Sequence, residues 1–451
     1  MFFCKEVEFT SDNKNGYTRR IRMITKSAAK KFDISRLSAW YIVIICSLLY
    51  TVNYMDRQVL SITTEFIKKD LGLSDSQIGI IQTLFFLSMA FFAFPAAYLV
   101  DRWSRKKTVS VMALVWSGFT FMTGMGKSFL GILIPRFLVG VGEAGFTSGG
   151  TPLIGASFPD KGRSLVMGIF NMAVPLGSAL GLIIGGAISV KYGWRMAFYV
   201  FAVPGIILAL LALYMKDYKT VRNIDEFGQK ISFFRSAVSL FSIPTLKWLY
   251  IGFGLQNFMC FAFLVWAAPL VMRTNGVDAQ KAGMLVGIIG LMAIFGAIFG
   301  GLAADLWQKK NPRGRMLTAA TSLLIATVLF FFMIYYDVRG LGYAIGILYG
   351  IFSIFPVPSI SAATQDVTPP SLKGVSWGMA VFCCYVFGGA WSPLLVGAIS
   401  DGLGGGAYGI KIGLLLTTLG GLAGAFFYWL SARHYSTDME KAQKHILEEA
   451  D

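Results

Sequence analysis

Charge is scarce in this chain of 451 residues. Asp, Glu, Lys and Arg make up 14% of it, against about 25% in a soluble domain. With 55% hydrophobic residues and a mean hydropathy of +0.62, that scarcity excludes an ordinary cytosolic globule and a disordered chain alike. Histidine is rarer still. His434 and His445 both sit near the C-terminal end, so proton chemistry among the apolar stretches falls to carboxylates. The five cysteines form neither a disulfide framework nor a metal-ligand spacing, and Cys46, Cys260, Cys383 and Cys384 lie inside apolar runs. No G-x-x-x-x-G-K-[ST] phosphate loop is present, so direct drive by ATP is not expected. Neither a cofactor nor a metal is expected. Polar stretches are short: the first 38 residues, about 25 after Lys216 and the last 17 or so. None could bury a sizeable core.

Apolar runs of spanning length are what the chain has in abundance. They fall near 39–63, 77–100, 108–126, 129–157, 164–190, 194–215, 246–272, 280–304, 316–337, 341–366, 374–400 and 407–432, each close to the ~20 residues that cross a bilayer core. The expected fold is an all-α membrane protein of twelve transmembrane helices in two pseudo-symmetric six-helix bundles. The expected divisions are an N-terminal tail 1–38, a first bundle 39–215, a linker 216–245, a second bundle 246–432 and a C-terminal tail 433–451.

Nine Lys or Arg precede the first apolar run, which is no secretory signal. With the N-terminus inside, the cytoplasmic segments carry 28 Lys or Arg and the opposite side nine, while Arg57, Arg136 and Lys247 lie within or at the start of spans. This positive-inside bias predicts cytoplasmic termini and accounts for the net charge of +16 without nucleic acid. The absence of Asn-x-Ser/Thr sequons suits a bacterial inner (plasma) membrane protein.

The halves share a feature. Asp101-Arg102-Trp-Ser-Arg105-Lys106 ends the second span, and Asp305-Leu-Trp-Gln-Lys309-Lys310 ends the eighth, 204 residues later. An acidic residue followed by a basic run in the same place of each half points to duplication of a six-span unit.

Ionisable residues inside a membrane are costly, so each is a candidate for function. Four stand out: Asp56 and Arg57 in the first span, Arg136 and Glu143 in the fourth. Arg136 and Glu143 are two turns apart on one helix face, about 10 Å along the axis. An outer cluster is expected in which Arg57 and Arg136 hold Asp56 ionised, with Glu143 alone nearer the midplane. There, desolvation would bring its proton exchange toward neutral pH. A charge-balanced pair locking two helices is the bland alternative.

Gly177, Gly181 and Gly185 in the fifth span and Gly296 and Gly300 in the eighth recur every four residues, a spacing that allows close helix packing and is expected at the interface between the halves. Pro356, Pro358 and Pro393 are expected to bend spans ten and eleven. The middles of spans seven to twelve carry no Asp, Glu, Lys or Arg. A cavity between such halves has one charged and one aromatic or apolar wall, which suits an amphipathic or organic anionic solute with Arg57 and Arg136 as anion partners.

These residues resemble the major facilitator superfamily over 39–434. Asp101-Arg102-x-x-Arg105-Lys106 is similar to its cytoplasmic signature and Arg136-x-x-x-Gly140 to its fourth-helix signature, although Ala97 and Ser104 stand where the family usually has glycines. The resemblance implies an intracellular latch at Asp101, Arg102, Arg105 and Asp305. Asn53-Tyr-Met-Asp56-Arg57, Gly140-Val-Gly-Glu143-Ala144, Pro175-Leu-Gly-Ser-Ala-Leu-Gly181, Met272-Arg-Thr-Asn-Gly276 and Gln365-Asp-Val-Thr-Pro-Pro370 resemble the Spinster-like branch. That branch implies movement of lysolipids or sphingoid phosphates, with Asp56 and Glu143 as proton sites and Arg57 and Arg136 coupling them to substrate. The quartet is also similar to that of organic anion:proton symporters carrying hexonates and hexuronates. The reading is therefore a monomeric, proton-coupled secondary transporter, not an enzyme, working by alternating access on a lysolipid-like or organic anionic solute. A sugar-acid symporter is its alternative, and a membrane receptor or enzyme the remote one.

Overall fold

The computed structural model describes residues 34–158, 162–218, 238–369 and 372–448. Most of the expected N-terminal tail and most of the linker lie outside them. Twelve helical segments follow one another: α1 Arg36–Leu71, α2 Asp75–Arg102, α3 Arg105–Gly124, α4 Phe129–Ser157, α5 Arg163–Tyr192 and α6 Trp194–Ala212. Then come α7 Pro244–Asn275, α8 Ala279–Lys310, α9 Gly314–Tyr335, α10 Leu341–Asp366, α11 Lys373–Gly402 and α12 Ala407–Glu448. Among the described residues, eleven segments are long and apolar enough to cross a membrane. α3 is diluted by Lys107 and by Ser, Thr and Gly, and packs between α4 and α6 as the twelfth. Crossing twelve times puts both ends of the bundle on one side, here called the terminal face.

The helices pack in two matching groups: α1 on α5 and α6, α2 on α4, α3 on α6; then α7 on α11 and α12, α8 on α10, α9 on α12. The groups meet along α2–α11, α5–α8 and α1–α7, the pairing a two-fold repeat of a six-helix unit would give.

The glycine rows pack within the groups, not between them. Gly177 and Gly181 lie against Thr51, Tyr54 and Met55 of α1, and Gly185 against Ile62 of α1 and Phe201 of α6. Gly296 and Gly300 meet the backbone of Ile351 and Phe355 in α10. The contact between groups uses other glycines. A Cβ on Gly79 of α2 would fall 2.6 Å from the Pro393 carbonyl oxygen of α11, and one on Gly283 of α8 2.3 Å from the Leu182 carbonyl oxygen of α5. These two are also 204 residues apart.

Two helices outrun their apolar cores. α1 continues to Leu71 because Glu65, Lys68 and Asp70 find partners. α12 continues into the expected tail: buried Asp438 accepts from the backbone N–H of Thr245 at 3.0 Å and its hydroxyl at 2.7 Å, capping α7. Breaks interrupt α10 at Phe355, just before Pro356, and α11 between Phe387 and Trp391, just before Pro393. α4 is interrupted at Ala144–Gly145, directly after Glu143.

Candidate functional site

Asp56 and Arg57 are neighbours in sequence but, at about 100° per residue, they leave α1 in different directions. Leu49, Asn53, Asp56 and Leu60 form its buried stripe toward the first group. Arg57 and Ser61, one turn apart, lie toward the second, where Ser61 Oγ donates to the Val265 carbonyl of α7 at 2.7 Å.

Arg57 Nε donates to Glu143 Oε2 at 2.8 Å; the glutamate side chain is fully buried and that of Arg57 is 12% exposed. Glu143 is therefore not alone, as was expected, but one half of an ion pair between α1 and α4. The cause is the extra length of α1, which sets Arg57 about 21 Å from the helix end at 1.5 Å per residue and level with Glu143. The guanidinium lies 4.4 Å from the Tyr54 ring centre, and Tyr385 of α11 stands beside it from the other group.

Asp56 is fully buried and is not held by a guanidinium. Thr120 Oγ1 of α3 donates to its Oδ2 at 3.4 Å. Arg136 Nη1 donates at 3.0 Å to the backbone carbonyl of Asp56, not to its carboxylate, and Arg136 stacks 5.0 Å from the Phe198 ring of α6. Arg136 still lies within electrostatic reach of both carboxylates. Two acids and two guanidiniums thus form a buried, charge-balanced quartet in the first group. Only its Arg57–Glu143 edge faces the second.

Across from that edge is an aromatic wall. Phe86 of α2 packs on Phe261 of α7 with ring centres 4.6 Å apart, Phe261 on Tyr385 at 5.3 Å, and Phe91 of α2 meets Phe382 of α11 at 6.3 Å. Behind Arg57, Tyr50 stacks on Phe170 at 4.6 Å and 10°. The arrangement offers one switchable cation amid apolar surface. Protonating Glu143 would leave Arg57 without its partner and free to bind an anion.

The expected latch is divided. The side chains of Asp101 and Arg102 lie outside the described residues. Arg105 is buried with its guanidinium 4.4 Å from the Tyr218 ring centre. In the second group Asp305 pairs with Arg315 at 3.0 Å, Arg315 also pairs with Asp366, and Tyr435 donates to Asp366.

Asp75 and Asp401 were not anticipated, and Arg273 was met only as part of the Met272-Arg-Thr-Asn-Gly276 motif. Arg273 carried a signal, as one of only nine basic residues on the non-cytoplasmic side of the expected topology. Asp75 follows Ser74, which with Gln77 forms a capping box.

The Major Facilitator Superfamily model matches residues 46–393. An MFS-type efflux pump of Mycolicibacterium smegmatis is 29% identical, covering 89% of this chain and 94% of its own. A hexuronate transporter of Bacillus subtilis is 28% identical over 78% and 86%. Protein spinster homolog 1 of Xenopus laevis is 26% identical over 89% and 82%. The crystal structure of a bacterial homologue of the human lysosomal transporter Spinster, inward-facing and unoccupied, has the same fold: TM-score 0.79 at 22% identity, over 90% of this chain and 99% of that one. The chain thus resembles the Spinster-like branch.

Proposed function

The chain belongs to the Major Facilitator Superfamily, and on that premise we propose that it is a proton-coupled secondary transporter of amphipathic or organic anionic solutes. That it is a multi-pass membrane transporter and not an enzyme follows from the family itself. The observation that carries the finer reading is the Arg57–Glu143 pair at the edge of the quartet that faces the aromatic wall.

The proposed cycle uses one competition. With Glu143 ionised, Arg57 is neutralised within the first group. A proton on Glu143 releases Arg57 toward the solute's anionic group, and the solute's departure lets Arg57 recapture the carboxylate and expel the proton. Asp56 is the second proton site, and Arg136 links it to Glu143. Phe86, Phe261 and Tyr385 receive the apolar part of a lysolipid-like solute.

The terminal face is proposed to be cytoplasmic, which the distribution of 28 to nine basic residues supports, and the membrane is proposed to be a bacterial inner membrane. The protein is proposed to act as a monomer. Exposed Leu165, Ile169 and Met172 on the terminal-face half of α5, beside buried Leu182 and Gly186 on its other half, support a state open to the cytoplasm.

The second reading, a sugar-acid:proton symporter, is favoured by similarity to the hexuronate transporter at 28% identity. Dye-loaded proteoliposomes separate the two. Proton movement on adding a lysophospholipid but not a hexonate supports the first reading, the reverse pattern supports the second, and no movement with either overturns proton coupling to both.

A further inference from the structure

Two seams related by the 204-residue repeat join the groups on the face opposite the termini, and they are built differently. At α5–α8 the contact is backbone on backbone: Gly283 on Leu182, and Gly186 on Ala279, whose carbonyl oxygen would lie 2.4 Å from an added Cβ. At α2–α11 a similar glycine contact is made by Gly79 on Pro393 and by Gly397 on the Asp75 carbonyl. That second seam also carries a polar cluster.

Asp75 is its centre. Its side chain is fully buried, and Arg273 at the end of α7 grips it with two nitrogens, Nη2 to Oδ1 at 2.7 Å and Nη1 to Oδ2 at 2.8 Å. Ser400 Oγ of α11 donates to Oδ2 at 2.6 Å, and Lys68 of α1 pairs with Oδ1. Arg273 also pairs with Glu65 of α1 at 2.7 Å and donates to the Gly405 carbonyl at 3.0 Å. Asp401 of α11 does a different task. Its Oδ1 accepts from the backbone N–H of Asp75 at 3.0 Å and its Oδ2 from that of Ser76 at 2.7 Å. It is a helix cap supplied by the opposite group, set on the positive end of the α2 dipole.

We propose that Asp75, Arg273 and Asp401 form a one-sided lock that holds the face opposite the termini shut, with the α5–α8 glycine seam as the plain contact about which the groups separate. Parting α2 from α11 strips Asp75 of a bidentate guanidinium and a hydroxyl, removes Asp401 from the first turn of α2, and takes Arg273 from both Asp75 and Glu65, leaving it the Gly405 carbonyl. Parting α5 from α8 breaks van der Waals contact of Gly186, Gly283 and Gly287 with the facing helix. Asp401 and Arg273 are positioning residues: neither touches the Arg57–Glu143 site, yet they set how readily the opposite face opens. The inference rests on the reading that the two groups move as bodies during transport.

The test reads conformation alone, so its failure is distinct from failure of proton coupling. Spin labels are placed at exposed Lys127 and Arg339, one on each group at the opposite face, in full-length protein lacking its native cysteines and reconstituted in nanodiscs. Distances are measured by double electron–electron resonance. Arg273→Ala and Asp401→Ala are each expected to raise the long-distance population roughly tenfold. The exchanged pair Asp75→Arg with Arg273→Asp is expected to restore part of the short distance. An unchanged distribution in both single variants overturns the lock. Should Arg273→Ala fail to elute as a monodisperse species, Asp401→Ala and Ser400→Ala decide the matter in the same way.

Discussion

The guanidinium of Arg57 and the carboxylate of Glu143 form an ion pair at 2.8 Å between the first and fourth helices, at the edge of the first bundle that faces the second. Removing one partner of a buried pair leaves an uncompensated charge, which costs about 3–5 kcal/mol. Glu143→Gln is therefore expected to lower the midpoint of thermal unfolding in detergent. The double variant Arg57→Gln/Glu143→Gln is expected to recover most of that loss without recovering proton coupling. A double-mutant cycle by scanning fluorimetry checks the sign and size of the coupling.

Tyr385 reaches Arg57 from the opposite bundle. Tyr385→Phe keeps the aromatic wall with Phe261 and removes the hydroxyl beside the anion-binding cation. An approximately tenfold rise in KM for an anionic solute is expected, the scale of one hydrogen bond to a charged group. Initial uptake rates over a range of solute concentrations measure it.

Gly181 and Gly283 both sit against backbone, but within and between bundles respectively. A Cβ on Gly181 would lie 2.8 Å from Met55 Cα, inside the first bundle. Gly181→Val is expected to destabilise the fold by about 1–3 kcal/mol through overpacking. Gly283→Ala sets a Cβ 2.3 Å from the Leu182 carbonyl oxygen, so the two groups must part by about 1 Å at that seam, and its cost is expected to fall on the packing between bundles and not within them. Comparing the two melting curves tests whether the bundles are the cooperative units.

Asp438 caps α7 from the extended end of α12. Asp438→Ala is expected to cost about 1–2 kcal/mol, the usual loss on removing an N-terminal cap. Proton coupling should be retained.

The spans, the internal repeat and the four intramembrane charges were legible in the sequence because each leaves a local mark: a hydrophobic run, a fixed offset, an ion where ions are costly. The pairing within the quartet was not. It depended on α1 running on to Leu71, and that depended on Glu65 and Lys68 meeting Arg273 and Asp75 from distant segments. The four-residue glycine rows were visible, but spacing says only that a helix can be approached closely and not by which neighbour. Gly79 shows no such row, and Gly283 only a short one with Gly287. Their shared 204-residue offset, the one already seen for Asp101 and Asp305, was the available signal. Asp401 was hidden because it binds backbone amides, a role any carboxylate at a helix end can fill and that no motif records.

The most direct measurement is proton flux into dye-loaded proteoliposomes, driven by an imposed solute gradient, in wild type, Asp56→Asn and Glu143→Gln. The competition between Glu143 and solute for Arg57 predicts that Glu143→Gln abolishes solute-driven proton flux while still binding the anionic solute at least as tightly, because Arg57 is permanently released. Proton flux in Glu143→Gln equal to that of wild type would contradict the account.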